Sequence, residues 1–364
     1  MARTLTSTPR ADGFRMPAEW EPHAATWLLW PQRPDVWRQG GKPAQHAFAD
    51  LAATISRFEP VAVGVNHDQF ENARRELPAR VRVLEVSSND AWMRDSGPTF
   101  VVGDRGEVRL VDWRFNAHGF SLPAWDKDDM VAAKIAEIEG VDRYRAPLVL
   151  EGGSIHVDGE GTVLTTRECL LNPNRNPDLS QGQIEACLKE YLGADEVIWL
   201  DRGLDPDVTS GHVDDVAMFV RPGVVALAWA DDRRDWRHEI MAENLEILRA
   251  AHDARGRALE IHKVPLPADV VISEEEASTI DRVEGSLSLP AGFKQAGSYI
   301  NCVLCNGGLI IPTFDDPADV EAAAVLQGLF PGRRLIALPG REVVIAGGCF
   351  HCITQQQPAG LEWR

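Results

Sequence analysis

The sequence predicts a mixed α/β fold assembled from repeated units, and three observations carry that reading. Four apolar hairpins with glycine turns recur along the chain. Helical patterns fall between them, and apolar segments near the two chain ends are left over to build one more unit together. A doubly wound parallel sheet is disfavoured, because these strands arrive as hairpins rather than singly between helices. No Gly-x-Gly-x-x-Gly or phosphate-loop pattern opens a helix, so nucleotide binding has no support.

Taken in order, Ala24-Ala-Thr-Trp-Leu-Leu-Trp30 is an apolar strand without a nearby hairpin partner. The first hairpin is Pro98 to Val102, a turn at Gly103-Asp-Arg-Gly106, and Val108 to Asp112. The second is Ser154 to Val157, Asp158-Gly-Glu-Gly161, and Thr162 to Thr165. The third is Val216 to Val220, Arg221-Pro-Gly223, and Val224 to Leu227. The fourth is Tyr299 to Leu304, Asn306-Gly-Gly308, and Leu309 to Ile311. In each, two apolar runs flank a turn that contains glycine, the usual signature of a β-hairpin. The turn glycines 106, 161, 223 and 308 stand 55, 62 and 85 residues apart, room for a helix-bearing unit in each interval. Helices are expected over Asp128 to Gly140, Ser180 to Tyr191 with Ser180 as N-cap, Trp236 to Arg255, and Asp319 to Phe330. Glu342 to Ala346 reads as a strand running into Gly347-Gly348. That strand and Ala24 to Trp30 would close a ring with both chain ends in one blade.

Composition bounds the function. Hydrophobic content of 44% and charged content of 25% are ordinary for a soluble globular protein. The formal charge of −18 argues against nucleic acid, whose phosphates need clustered Lys and Arg, and suits a cationic substrate. No apolar run approaches the roughly 18 residues of a membrane span. Met1 to Gly13 is polar without an apolar core, so no signal peptide is readable and a cytoplasmic location is expected. Six cysteines in 364 residues are not a disulfide framework. Cys302-Val-Leu-Cys305 and Cys349-Phe-His-Cys352 are two CxxC pairs, but 43 residues separate them and the first lies in a strand pattern that turns its thiols to opposite sides. Structural zinc is therefore disfavoured.

The chemistry-bearing residues lie just before, or at the start of, the hairpins. Asn89 to Pro98 holds Asp90, Trp92, Arg94 and Asp95 ahead of a Gly-Pro turn, either a binding loop or a solvated one with an internal ion pair. Glu151 follows a buried-looking run and precedes Gly152-Gly153; His156 is the competing residue there, more simply read as a packed strand histidine. In Gly211-His-Val-Asp214, an extended chain would project His212 and Asp214 from one face, a good acid/base arrangement. A metal would also suit them, but a third ligand at readable spacing is missing. Cys352, twelve residues from the C-terminus, follows two glycines that allow close approach. Its alternative is an inert buried thiol. His351 would face away from Cys352 in an extended chain, so His212 is the better base.

These residues belong to a longer co-linear set. It comprises Met16-Pro-Ala-Glu-Trp-Glu-Pro-His23, Trp37 to Gln45, Asp90-Ala-Trp-Met-Arg-Asp95, Trp125 to Asp129, Leu150 to His156, Cys169-Leu-Leu-Asn-Pro-Asn-Arg-Asn-Pro177, Gly211 to Asp214 and His351 to Pro358. Through it the chain resembles the agmatine deiminases, grouped with the bacterial peptidyl-arginine deiminases among guanidine-modifying enzymes. The resemblance implies a pentein, a five-bladed pseudo-symmetric α/β propeller, with 1–364 as a single catalytic domain. It implies Cys352 as nucleophile, His212 as general acid/base, Glu151 beside it, and Asp95 and Asp214 gripping the guanidinium, with Trp92 and Asp90 in the binding loop. It implies no cofactor and no metal. The expected partners are a small cationic guanidine and further copies of the chain, as a homodimer or homo-oligomer, with neither nucleic acid nor membrane.

The substrate-tail segments depart from the family pattern. Val208 stands where an acid is usual, with Asp207 one residue off. His118-Gly119-Phe120 stands where the family has Trp-Gly-Gly, and Cys349-Phe350 replaces a small or amide residue and an aliphatic one. Agmatine is the first expected substrate; arginine, peptidyl-arginine or a guanidino acid is the alternative. An amidinotransferase, a zinc module or a non-catalytic binding protein are the remaining readings.

Overall fold

Each hairpin extends into a ββαβ unit. The structure is a computed structural model that describes residues 2–120, 124–204, 209–286 and 289–360. In the first unit Thr99–Gly103 pairs antiparallel with Val108–Arg114, helix Val131–Glu139 crosses over, and Arg143–Val149 returns parallel to the second strand. A parallel return needs such a crossover, which is why a helix follows every hairpin. The second unit repeats this with His156–Val157, Thr162–Thr166, helix Gln181–Leu192 and Glu196–Leu200. The third uses Ala217–Arg221, Val224–Trp229, helix Trp236–Ala250 and Glu260–Pro265. The fourth uses Val303–Cys305, Gly308–Thr313, helix Ala318–Leu329 and Arg334–Pro339.

The chain ends build the fifth. Gln355–Pro358 pairs antiparallel with His23–Leu29, and helix Lys42–Ile55 leads to Val61–Val65, parallel to His23–Leu29. Inner strands of neighbouring units approach one another, Gln355–Pro358 against Thr99–Gly103 and His156–Val157 against Ala217–Arg221. Five α/β units thus surround a common centre, as the pentein architecture requires.

Local chemistry sets the helix ends. Ser180 accepts from the Gln183 N–H while the Gln183 side chain answers the Ser180 N–H, a reciprocal cap. Gly140 and Gly193 close their helices at φ 66° and 65°, where a Cβ is penalised. The third crossover helix stops at Ala250, short of Arg255. There Asp253 Oδ1 accepts from the Arg255 and Arg257 N–H groups and forms a turn instead.

Two segments near the centre differ from the extended chain expected. Residues Arg341–Val344 are one helical turn, not a strand: the Gly340 carbonyl accepts from the Val343 and Val344 N–H groups. The strand of this last unit is Gln355–Pro358 instead, downstream of the cysteine. Val213–Asp215 is a single 3-10 turn, so His212 and Asp214 meet across a bend rather than along a strand. Among the described residues no helix is long and apolar enough to cross a membrane.

Candidate active site

The loops that precede the inner strands converge at the centre of the ring, and Gly153 sits among their chemical groups. A Cβ there would lie 2.6 Å from His212 Nδ1 and 2.9 Å from both Asp214 Oδ2 and Asp95 Oδ1. Only a residue without a side chain lets these three groups, Asp95 from the first unit and His212 and Asp214 from the third, meet over the second.

Cys352 sits in the turn that follows Gly347-Gly348 and is 3% exposed. A Cβ on Gly348 would lie 3.0 Å from Cys352 Sγ and 2.8 Å from the Trp92 ring, so the glycine keeps space open between thiol and indole. The sulfur lies 3.5 Å from Asp214 Oδ2 and 3.1 Å from Asn301 Nδ2. Its backbone carbonyl accepts from the Arg94 N–H, tying the terminal loop to the Asp95 loop.

His212 is fully buried. Its Nε2 is 3.6 Å from Glu151 Oε2, and its Nδ1 is 3.8 Å from Asp95 Oδ1 and 4.0 Å from Asp214 Oδ1. These are electrostatic contacts longer than full hydrogen bonds. Among the described residues neither ring nitrogen, nor Asp214 Oδ1, has a hydrogen-bond partner. Asp95 Oδ1 accepts from the Gly153 N–H at 3.0 Å, and Oδ2 meets His118 Nε2 at 2.9 Å. Asp214 Oδ2 is held at 2.8 Å by His351 Nδ1, whose Nε2 meets Glu19 Oε1 at 2.8 Å. Both ring nitrogens of His351 are thereby committed to carboxylates. Glu151 is locked by Arg175 Nε at 2.9 Å, and Arg175 also donates to the Thr209 carbonyl and Ser210 Oγ, fixing the loop ahead of His212.

Charge follows from this packing. Burial would depress His212, but the Asp95 carboxylate and contacts with Cys169 and Glu151 outweigh it and hold the imidazole well above its usual range. Burial would raise Glu151, and the Arg175 and His212 charges instead hold it far below the carboxylate range. Burial would likewise raise Asp214, which its bond to His351 and the charges of His351, His212 and Arg94 keep low. Cys352 goes the other way: burial and then the charges of Asp214, Asp215 and Asp95 push its thiol well above normal. The site is therefore a protonated imidazole and ionised carboxylates around a neutral thiol.

Every predicted site residue lies at or beside this centre. Trp92 walls the sulfur side and packs at a tilt against Trp37, ring centroids 4.9 Å apart and planes 32° apart. Asp90 serves the wall: Oδ1 accepts from Trp37 Nε1 and the Ala91 N–H, and Oδ2 from Trp92 Nε1. His156 is the packed strand histidine expected, its Nδ1 accepting from the Phe219 N–H. Cys349 Sγ packs toward Gly340 in the apolar shell. Cys302 and Cys305 fall in two different apolar clusters, on opposite sides of their strand. Asp207 and Val208 lie outside the described residues. Sequence reading missed Glu19 and Arg175 as site members, although both sit inside the shared motifs, and missed Asn301, which carried no motif signal. Three buried groups bring donor atoms within 4.8 Å of one another: Asp95/His118/His212, Glu151/Cys169/His212 and Asp214/Asp215/Cys352. These are largely the groups that surround His212 and Cys352.

Residues 15–358 match the family model of the Porphyromonas-type peptidyl-arginine deiminase. The chain is 54% identical to an agmatine deiminase of Ectopseudomonas mendocina (strain ymp), over 98% of each chain. It is 55% identical to one of Pseudomonas aeruginosa (strain LESB58), over 97% of this chain and 98% of that one. An agmatine deiminase structure of Enterococcus faecalis superposes with a TM-score of 0.96 at 47% identity, covering 99% of this chain and all of the other.

Proposed function

The chain belongs to the Porphyromonas-type peptidyl-arginine deiminase family, and from that premise we propose that it hydrolyses agmatine to N-carbamoylputrescine and ammonia, with 1–364 as one catalytic domain. The observation that carries this reading is the meeting of a thiol, an imidazole and carboxylates in one buried cluster, with the His212 ring nitrogens and Asp214 Oδ1 free of hydrogen-bond partners among the described residues. A planar cation with N–H donors on every nitrogen answers the carboxylates of that arrangement, Asp214 Oδ1 among them.

Asp95 and Asp214 grip the guanidinium and fix its plane over Cys352. The cation offsets the carboxylate field that keeps the thiol neutral, so substrate binding itself drives the thiol proton out to solvent and leaves a thiolate beside the still-protonated His212. The sulfur adds to the guanidinium carbon. His212, held protonated, delivers its proton to the departing nitrogen, which leaves as ammonia, and a thiouronium adduct on Cys352 remains. His212, now neutral, takes one proton from water as the oxygen attacks; the carbon–sulfur bond breaks as the second proton leaves the new oxygen for solvent, where ammonia ends as ammonium, and the neutral ureido product and thiolate separate. Glu151, fixed by Arg175, keeps His212 charged and oriented. No step calls for a metal or cofactor.

The test is ammonia and ureido-product release from a panel of agmatine, arginine, peptidyl-arginine and short guanidino acids. Agmatine is expected to have the highest kcat/KM, and Cys352→Ala to abolish release from every member. A different guanidine winning by orders of magnitude would move the substrate assignment; full turnover by Cys352→Ala would remove the mechanism.

A further inference from the structure

We infer that Asn301 is a working part of the site: its amide holds Cys352 Sγ as a hydrogen-bond donor and stabilises the sulfur in its thiolate form. The inference rests on the reading of Cys352 as nucleophile. Asn301 is wholly buried, just before strand Val303–Cys305, at the start of the fourth unit. Its Oδ1 accepts from the His351 N–H at 2.9 Å and from the Cys352 N–H at 3.4 Å. Its Nδ2 donates to Asp215 Oδ1 at 3.0 Å and to Cys352 Sγ at 3.1 Å.

The network leaves one orientation for the amide. Turned over, the group would set its oxygen against the Asp215 carboxylate and its NH₂ against two N–H donors. The contact at sulfur is therefore an N–H donor under constraint, with the other three bonds of the amide spent on aiming it. A donor strengthens when its acceptor gains charge, so it favours thiolate over thiol.

The setting makes such a donor matter. Asp95, from the turn Met93–Ser96, and Asp214 and Asp215, from the turn Val213–Asp215, face the sulfur and disfavour negative charge on it. The cations nearby are engaged elsewhere: His351 and His212 contact Asp214, and Arg94 donates to the His351 carbonyl. Asn301 opposes the carboxylates at the atom itself, and occupies Asp215 at the same time. Sulfur carries full charge twice in the cycle, as attacking thiolate and as leaving group when the ureido product departs. A donor at Sγ assists both moments.

Asn301→Asp tests this with little change of shape. One carboxylate oxygen can still accept from the two backbone N–H groups, while the other replaces the donor with an acceptor facing Sγ and Asp215. Alkylation of Cys352 by iodoacetamide, followed by peptide mass against pH, should shift its midpoint upward by about one pH unit or more. The value of kcat should fall by about tenfold or more, with KM changed far less. A folded Asn301→Asp whose alkylation profile matches the parent overturns the inference. Should that variant fail to fold, the unaltered protein decides: in ¹⁵N-asparagine-labelled enzyme the Asn301 side-chain amide signals should move when Cys352 is alkylated, and unmoved signals overturn it. Cys352→Ala separates the two layers. If it still turns over, the nucleophile reading fails; if it is inert while the Asn301→Asp profile is unmoved, only the role of Asn301 fails.

Discussion

Asp214 shows how one carboxylate can serve the reaction while opposing its nucleophile. It lies 3.5 Å from Cys352 Sγ through Oδ2 and offers an unpartnered Oδ1 beside His212. In the free protein its charge adds to burial in holding the thiol up. With a guanidinium bound, the same charge becomes a grip. Asp214→Asn should therefore move two readouts in opposite directions. Loss of a charge-assisted hydrogen bond, worth about 1.5–3 kcal/mol, lowers kcat/KM for agmatine by about ten- to hundredfold. The alkylation midpoint of Cys352 in the substrate-free enzyme should fall, because a folded-state charge that disfavours thiolate has gone. A midpoint that stays put or rises would mean that Asp214 does not set the charge state of the thiol. Sequence could nominate Glu151 and Cys352 because glycine pairs lie beside them next to apolar runs, and Asp214 because it stands two residues from His212 just after a glycine. It could not nominate Asn301, whose side chain works across the ring on residues fifty positions away. No local pattern records such a contact.

At the scale of single elements, the wall of the site is supported by a buried acid pair. Asp128, in the 3-10 turn ahead of helix Val131–Glu139, accepts from the Asn89 and Asp90 N–H groups and so braces the loop that carries Trp92 and Asp95. Burial, and then the nearby Asp90 charge, raise its carboxyl to about 8. A folded-state value above the unfolded one, near 3.9 for an aspartate, means stability present at low pH and lost as pH rises through the folded value. Asp128→Asn keeps the accepting oxygen and removes the titration. Its melting temperature relative to the parent should climb between pH 4 and pH 8 and level off above. A flat difference across that window would show that Asp128 ionises freely in the fold. Helices were legible in sequence because their caps are local: Ser180 with Gln183, and glycine at 140. The strand expected at Glu342 to Ala346 failed for the converse reason. Its apolar residues are buried in either conformation, and the turn's own hydrogen bonds, to the Gly340, Arg341 and Val343 carbonyls, distinguish the two.

The whole ring is closed by a segment of four residues. Gln355–Pro358 supplies the partner to His23–Leu29, and the Trp27 indole N–H donates to Gln357 Oε1 at 2.7 Å. All seven residues of His23–Leu29 are buried. The recurrence of hairpins announced four units, and the two leftover apolar ends announced that a fifth joins them; which terminal strand does the joining required the structure. Because Cys352 sits only three residues before this strand, closure of the ring and placement of the nucleophile are one event. Ending the chain after Thr354 should accordingly do more than trim a tail. It leaves the buried face of His23–Leu29 as an open edge, a template for aggregation, and releases the loop that carries Cys352. Domains are stable by only about 5–15 kcal/mol, a margin that exposing a central strand readily exceeds. The shortened chain should lose its cooperative melting transition and collect as insoluble material. A soluble product that melts like the parent yet lacks activity would separate closure from catalysis, and would place the stability of the fold in the other four units.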